Sequence, residues 1–343
     1  LLEHGGKLRA AALRYGIPID NWLDLSTGIN PNGWQGALPP LSSWSRLPED
    51  EDDLCAAACA YYGAVDLLPV AGSQAAIQAL PKLRAPSRVA VLAPSYNEHA
   101  HAWRRAGHVV DLVAAEQLDA AIDNHDVVVV VNPNNPTGVV FEPETLLRWH
   151  ERLAVRGGWL LVDEAFMDST PISSLAVCAN RDGLIVLRSL GKFFGLAGAR
   201  VGFALATETM LQRLAEELGP WTVSGPARWL ATQALLDKEW QAAMRVQLQR
   251  QSKRLNKLLG DFDLCPDGNN FLFQSGDASL FQSIATPQAK KIHQQLAQQG
   301  ILTRLFTDQS RIRFGLPADE AEWQRLQQAL AGLKLPVLME ASA

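Results

Sequence analysis

Val127-Val128-Val129-Val130-Val131-Asn132-Pro133-Asn134-Asn135-Pro136-Thr137-Gly138 is the stretch that decides the fold. Five consecutive β-branched residues with no polar alternation read as a strand buried on both faces. The Asn, Pro and Gly that follow read as a rigid loop. A strand of this kind needs neighbours of the same kind, and the chain supplies them at Val89–Ala93, Trp159–Asp163, Leu184–Arg188 and Val201–Leu205. Helical segments lie between, near Gln74–Leu83, Asn97–Ala106, Pro143–Val155 and Glu208–Glu217. The βαβα alternation predicts a doubly wound α/β domain with a large, mostly parallel sheet. Ligands of such sheets sit at the carboxyl ends of the strands, so the residues just past each strand are the ones to read for chemistry.

Outward from this core, Pro226 to Leu259 reads as one long helical stretch. The C-terminal part reads as a smaller α+β domain, with strands near Asn270–Gln274, Ile301–Arg304 and Arg311–Phe314 and helices near Pro287–Gln299 and Asp319–Leu333. The expected division is a large domain over residues 46–235 and a small one made of 1–45 and 236–343. The chain has 343 residues, 48% of them apolar and 20% charged, with a net charge of −5. That is ordinary globular composition. It shows neither the basic stripe of a nucleic-acid binder nor the run of about 18 apolar residues that would cross a membrane. The opening Leu1-Leu2-Glu3-His4-Gly5-Gly6 lacks the basic-then-apolar pattern of a signal peptide. Cys55, Cys59, Cys178 and Cys265 form no CxxC pair; Cys55 and Cys59 share a helix face and read as small core residues. A reduced, cytoplasmic chain without a metal site is expected. The acid run Glu49–Asp53 reads as the solvated start of a helix, where negative charge suits the helix dipole.

Ser189-Leu190-Gly191-Lys192 directly follows the strand Leu184–Arg188, and Arg200 opens the next. A lysine there can condense with an aldehyde, and the hydroxyl and guanidinium can hold a phosphate. A GxxxxGK[ST] phosphate loop is excluded, because position 186 is Val and Phe193 replaces the required hydroxyl. No GxGxxG is present. Asp163 ends the strand Trp159–Asp163; alone it reads as a structural cap more often than as a metal ligand, and with Lys192 also as a counter-ion for a protonated pyridine nitrogen. Asn135 is placed to donate to a ring oxygen. Gly72-Ser73-Gln74 begins a helix, where exposed amides bind phosphate or the Ser simply caps. Tyr96, just past Val89–Ala93, could stack on a flat ring.

Asn134–Gly138 together with Ser189–Arg200 resembles the fold-type-I pyridoxal 5′-phosphate (PLP) enzymes of the class I/II aminotransferase superfamily, over nearly the whole chain. Within it the chain is similar to the threonine-phosphate decarboxylase group of cobalamin synthesis. The opening His4-Gly5-Gly6, the segment Leu23-Asp24-Leu25-Ser26 with Ile29-Asn30-Pro31, Arg188–Phe193, and Asp163-Glu164-Ala165-Phe166 carry that likeness. The nearest sibling group is histidinol-phosphate aminotransferase.

The resemblance implies PLP on Lys192, Asp163 at the pyridine nitrogen, Asn135 on the ring oxygen and Tyr96 over the ring. It also implies Gly72, Ser73, Gln74, Ser189 and Arg200 around the cofactor phosphate. Arg313 would clamp the substrate carboxylate; strand alternation puts Arg311 on the same face, and the family match selects Arg313. His4, Gly5, Gly6, Asn30 and Asn135 would line the substrate end. The implied reaction is decarboxylation of O-phospho-L-threonine to (R)-1-amino-2-propanol phosphate by a homodimer. The alternatives are amino transfer of the histidinol-phosphate type and a non-catalytic PLP-fold binding protein. Two positions depart from the aminotransferase pattern. Phe166 stands where a Tyr usually shares the ring oxygen, and Leu47, in Arg46-Leu47-Pro48, stands where a Tyr usually reaches the partner's cofactor phosphate.

Overall fold

A computed structural model describes residues 5–262, 264 and 279–335. Among them are twelve strands: β1 (Leu23–Asp24), β2 (Leu68–Val70), β3 (Arg88–Leu92), β4 (Val109–Val113), β5 (Val127–Val131), β6 (Trp159–Asp163), β7 (Leu184–Ser189), β8 (Gly202–Leu205), β9 (Phe281–Ala285), β10 (Ile301–Leu302), β11 (Arg304–Phe306) and β12 (Arg311–Gly315). The chain separates into two compact units, one of residues 33–245 and one of residues 1–32 with 246–343.

The first unit is built on a seven-stranded sheet of order β2-β8-β7-β6-β5-β3-β4. β3, β4, β5, β6 and β7 run parallel, while β8 and β2 pair antiparallel at one edge. The five valines of β5 lie near the middle of the sheet and are all buried, as a strand covered on both faces requires. β2 and β4 escape a reading based on buried apolar runs. β2 is three residues long and contains a proline, and β4 is an edge strand with Val109 and Leu112 exposed. Helices Ser73–Ala79, Glu98–Arg105, Pro143–Ala154 and Glu208–Leu218 lie close to the predicted places.

The expected single helix over 226–259 is two, Gly225–Leu236 and Lys238–Asp261. Asp237 between them accepts from the Trp240 backbone amide (3.0 Å) and from Trp34 Nε1 (3.0 Å). An Asp that caps a new helix start competes with continuing the old one. The acid run also needs correcting. Asp52 takes both Nε and Nη2 of the buried Arg228, at 2.6 and 2.7 Å, with Asp50 at 3.3 Å from Nη1. It neutralises a buried cation as well as preceding the helix Leu54–Tyr62. Cys55 and Cys59 are half-buried instead of core, and burial raises both thiol pKa values.

The second unit holds the parallel pair β1-β10 and the antiparallel sheet β11-β12-β9. Helices Ala289–Gln298 and Glu320–Ala331 match expectation, the latter capped by Asp319, which accepts from the Glu322 amide at 2.9 Å. The strand expected near Asn270–Gln274 lies outside the described residues, and β9 was not foreseen. No described helix is long and apolar enough to cross a membrane.

Candidate functional site

Sheet register aligns the strand ends that carry chemistry. Val131 of β5 faces Asp163 of β6, and Asp163 faces Leu187 of β7. The loops leaving these strands therefore open at one edge. There a pocket brings together Ser73, Gln74, Tyr96, Asn135, Asp163, Ser189, Lys192 and Arg200, all singled out above for the cofactor, with Val131, Ala165, Phe166, Gly191 and Ala197 completing the wall; Gly72 is not part of the lining.

The loop after β5 is held by its other asparagines. Asn132 exchanges two hydrogen bonds with the Phe141 backbone, at 2.8 and 3.0 Å. Asn134 donates to the Pro94 carbonyl (2.8 Å) and Thr137 Oγ1 (2.6 Å), and accepts from Ser95 Oγ (2.6 Å). Fixing these two leaves Asn135 between them and Pro136, on the pocket wall. Asp163 is 3% exposed, and its Oδ1 accepts from the Ala165 amide at 3.0 Å. Lys192 Nζ stands 5.3 Å from the centroid of the Phe166 ring.

At the other end of the pocket, Arg200 adopts a left-handed backbone (φ 57°) and Gly72 sits at φ 71°, ψ 155°, a region closed to other residues. A Cβ on Gly72 would come within 2.4 Å of Arg200 Nη2, so the glycine is what lets the guanidinium lie against this loop. Gln74 keeps its side chain on Tyr96 Oη (3.1 Å) and Glu98 Oε2 (2.9 Å), leaving only its backbone for an anion. Burial, with Glu98 and Asp163 nearby, raises the Tyr96 pKa, so the phenol keeps its proton. The donor set suits a flat aldehyde-bearing ring with an anionic tail. An amine stands for the aldehyde, a buried carboxylate for a ring nitrogen, an amide for a ring oxygen, and a guanidinium with hydroxyls for a phosphate.

The aminotransferase class I and II family model matches residues 46–330. The chain belongs to that family. Threonine-phosphate decarboxylase from Pseudomonas aeruginosa is 57% identical over 98% of this chain and 99% of its own length. The enzyme of the same name from a Sinorhizobium species is 44% identical over 97% and 99%. The structure of histidinol-phosphate aminotransferase from Sinorhizobium meliloti in complex with pyridoxal-5′-phosphate superposes with a TM-score of 0.80 at 20% identity, covering 96% of this chain and 94% of that one. At that identity the likeness speaks for the fold.

Two features of this aminotransferase-family chain were not foreseen. His99 Nε2 lies 2.9 Å from Asp163 Oδ2, with both side chains almost fully buried. Its ring also meets Tyr96 edge-on, with centroids 6.2 Å apart. Tyr96 precedes the helix Glu98–Arg105, and the turn that opens the helix, closed by the His99 amide on the Tyr96 carbonyl at 3.2 Å, brings the two rings together. The second is Arg188, 1% exposed, which donates to Glu164 Oε2 and Asp168 Oδ1, both at 2.6 Å. Glu164 also accepts from Ser174 Oγ and from the Leu175 amide. Burial alone would lower the Arg188 pKa; Asp168 and Glu164 outweigh it and raise it, so the guanidinium stays charged. A charged residue directly after the apolar run 184–187 of a buried strand was itself a sign of a buried partner.

Asn135 apart, the described residues expected at the substrate end lie in the other unit. His4 is outside the described residues. Gly6 donates its amide to Ser26 Oγ at 2.8 Å, and a Cβ on Gly5 would strike the Ser26 carbonyl oxygen at 2.4 Å. Asn30 is buried and accepts from the Asn32 amide at 2.9 Å. Arg313 is 6% exposed, with its guanidinium 5.0 Å from the Phe281 ring centroid and Nη2 donating to the Ser26 carbonyl at 2.8 Å. Burial and the neighbouring Arg304 lower its pKa. Arg311 is less buried and reaches Ser283 Oγ at 3.3 Å. Leu47 is 65% exposed.

Proposed function

We propose that this chain is a PLP-dependent threonine-phosphate decarboxylase. It would convert O-phospho-L-threonine to (R)-1-amino-2-propanol phosphate and CO2 in the cytoplasm, as a step of cobalamin synthesis. The observation that carries the reading is the 57% identity to a threonine-phosphate decarboxylase over 98% of the chain. The Lys192–Asp163–Arg200 pocket supports it.

Bound PLP supplies a protonated, conjugated ring into which the electron pair left by departing CO2 can delocalise. Lys192 would hold the cofactor through its amine and would serve as the proton donor to Cα. Asp163, oriented by His99 and the Ala165 amide, keeps the ring nitrogen protonated. Asn135 binds the ring oxygen, and Tyr96, fixed by Gln74, covers the ring. Ser73, Ser189, Arg200 and the backbone at Gly72 and Gln74 hold the phosphate. Arg313 takes the substrate carboxylate, with His4, Gly5, Gly6 and Asn30 toward the rest of the substrate. Anchoring of the substrate phosphate would select loss of CO2 over loss of the Cα proton, by fixing which bond at Cα is aligned for delocalisation into the cofactor. Phe166 offers no hydroxyl beside Asn135, which separates this pocket from one with Tyr at that position.

Supporting the homodimer, Leu38, Leu41, Trp44 and Leu47 are all at least 65% exposed in the single chain. We assign this segment to the subunit interface. The domain division at residues 46–235 stays part of the proposal.

Carboxyl-labelled O-phospho-L-threonine, incubated with the PLP-loaded enzyme, should release labelled CO2 without any added 2-oxo acid. The Lys192→Ala variant should release none and should lose the covalent cofactor absorbance. Amino transfer that requires 2-oxoglutarate, with no CO2, would move the chain to the aminotransferases.

A further inference from the structure

The unit that holds β9 to β12 contains a cavity of about 330 Å³ lined by the cations Lys7, Arg14, Lys290 and Arg304, with His293 beside them; among the described residues no carboxylate lines it. The chain as a whole carries 36 acidic and 31 basic residues, so a wall of this size with one sign of charge departs from its average surface. We propose that this cavity binds a small phosphate-bearing anion.

Three elements build it. Lys7, Ala10, Ala11 and Arg14 fall at i, i+3, i+4 and i+7, one face of the helix Leu8–Tyr15 and the residue before it. The two alanines at the centre of that face leave space that longer side chains would fill, while the cations stand at its ends. Lys290 and His293 share a face of the helix Ala289–Gln298, and Arg304 opens β11. His293 Nδ1 lies 2.8 Å from Oγ1 of the buried Thr303, which fixes the ring against the wall.

Arg14 and Lys290 make no ion pair among the described residues. The Asp24 carboxylate, two residues from the lining residue Ser26, is turned to that residue's amide (2.9 Å) and hydroxyl (2.6 Å). Cations converging from three directions repel one another, and a tetrahedral dianion relieves that repulsion from several sides at once. Arginine forks and lysine ammonium groups both suit phosphate oxygens. Ala10, Ala11, Leu302 and Leu305 give the remaining wall an apolar character that accommodates a short carbon skeleton. The volume is at the small end of ligand pockets, about 300–1,000 Å³, and fits a compact organic phosphate better than a nucleotide.

Gly5 and Gly6, assigned above to the substrate end, also line this cavity, so the inference touches the decarboxylase reading, and the phosphate titration tests it separately from that activity. Inorganic phosphate is titrated calorimetrically into the PLP-loaded wild type and into the double variant Arg14→Gln/Lys290→Gln. Both substituted residues are at the surface, and equal melting temperatures check that the variant folds; Lys7→Gln/Arg14→Gln serves if it does not. Phosphate should bind the wild type, and the variant should bind at least tenfold more weakly. Equal affinity for both proteins, or no binding to the wild type, overturns the proposal. The KM for O-phospho-L-threonine then identifies the source of the phosphate. A tenfold rise in the variant means that the cavity takes the substrate's own phosphate end; an unchanged KM means a second phosphorylated molecule. If the chain shows no decarboxylase activity, the calorimetry still decides.

Discussion

At the scale of single residues, the pocket rests on side chains that hold other side chains. His99 is the first example. Its 2.9 Å contact fills one oxygen of a buried carboxylate whose other oxygen is taken by the Ala165 amide. Hydrogen bonds to charged groups contribute about 1.5–3 kcal/mol. His99→Phe keeps the edge contact with Tyr96 and removes that bond. We expect PLP to bind on the order of tenfold or more weakly by fluorescence titration, and kcat to fall more than KM rises. Unchanged cofactor affinity would mean that Asp163 is seated without His99. Gly72 is the second example. Gly72→Ala forces a side chain into a glycine-only backbone region at a cost of about 1–3 kcal/mol, and its Cβ displaces Arg200 from 2.4 Å away. A lower melting temperature together with weaker PLP binding is expected. A drop in melting temperature with full cofactor affinity would remove Arg200 from the phosphate site.

At the scale of elements, the paired ends of β6 and β7 are tied by Arg188 between Glu164 and Asp168. Glu164 follows Asp163, and Arg188 precedes Ser189, so the buried ion cluster lies one residue from the pocket on both strands. Breaking a buried pair from one side costs about 3–5 kcal/mol, because the stranded charge has no water. Arg188→Met should lose stability of that order by urea denaturation. Adding Glu164→Gln and Asp168→Asn should restore much of it, since the uncompensated charges are then gone. Failure of the triple variant to recover would show that shape, and not charge, is what Arg188 supplies. The same scale explains the uneven legibility of the strands. β5, β6 and β7 announce themselves as unbroken apolar runs because both of their faces are covered. β2, β4 and β9 do not, being short, at an edge, or mixed in composition.

At the scale of the whole molecule, the exposed apolar side chains of Leu38, Leu41, Trp44 and Leu47 within one short segment are what an uncovered interface would show. A dimer mass is expected by sedimentation equilibrium. Leu41→Asp/Trp44→Asp should shift the equilibrium toward monomer, and a wild type that sediments as a monomer would overturn the homodimer.

The sequence by itself determined the fold class, the family and the residues around the pocket. Strand cores are written as local apolar runs, and the pocket residues sit at their ends or within a few residues beyond: Asn135 after β5, Asp163 at the end of β6, Lys192 after β7. Only the tertiary structure decided what these residues lean on. His99 meets Asp163 across 64 positions, Asp52 neutralises Arg228 across 176, and the cationic cavity gathers Lys7 and Arg14 with Lys290 and Arg304 from opposite ends of the chain. Contacts of that kind depend on the folding of distant segments against one another, and no local period or spacing in the chain encodes them.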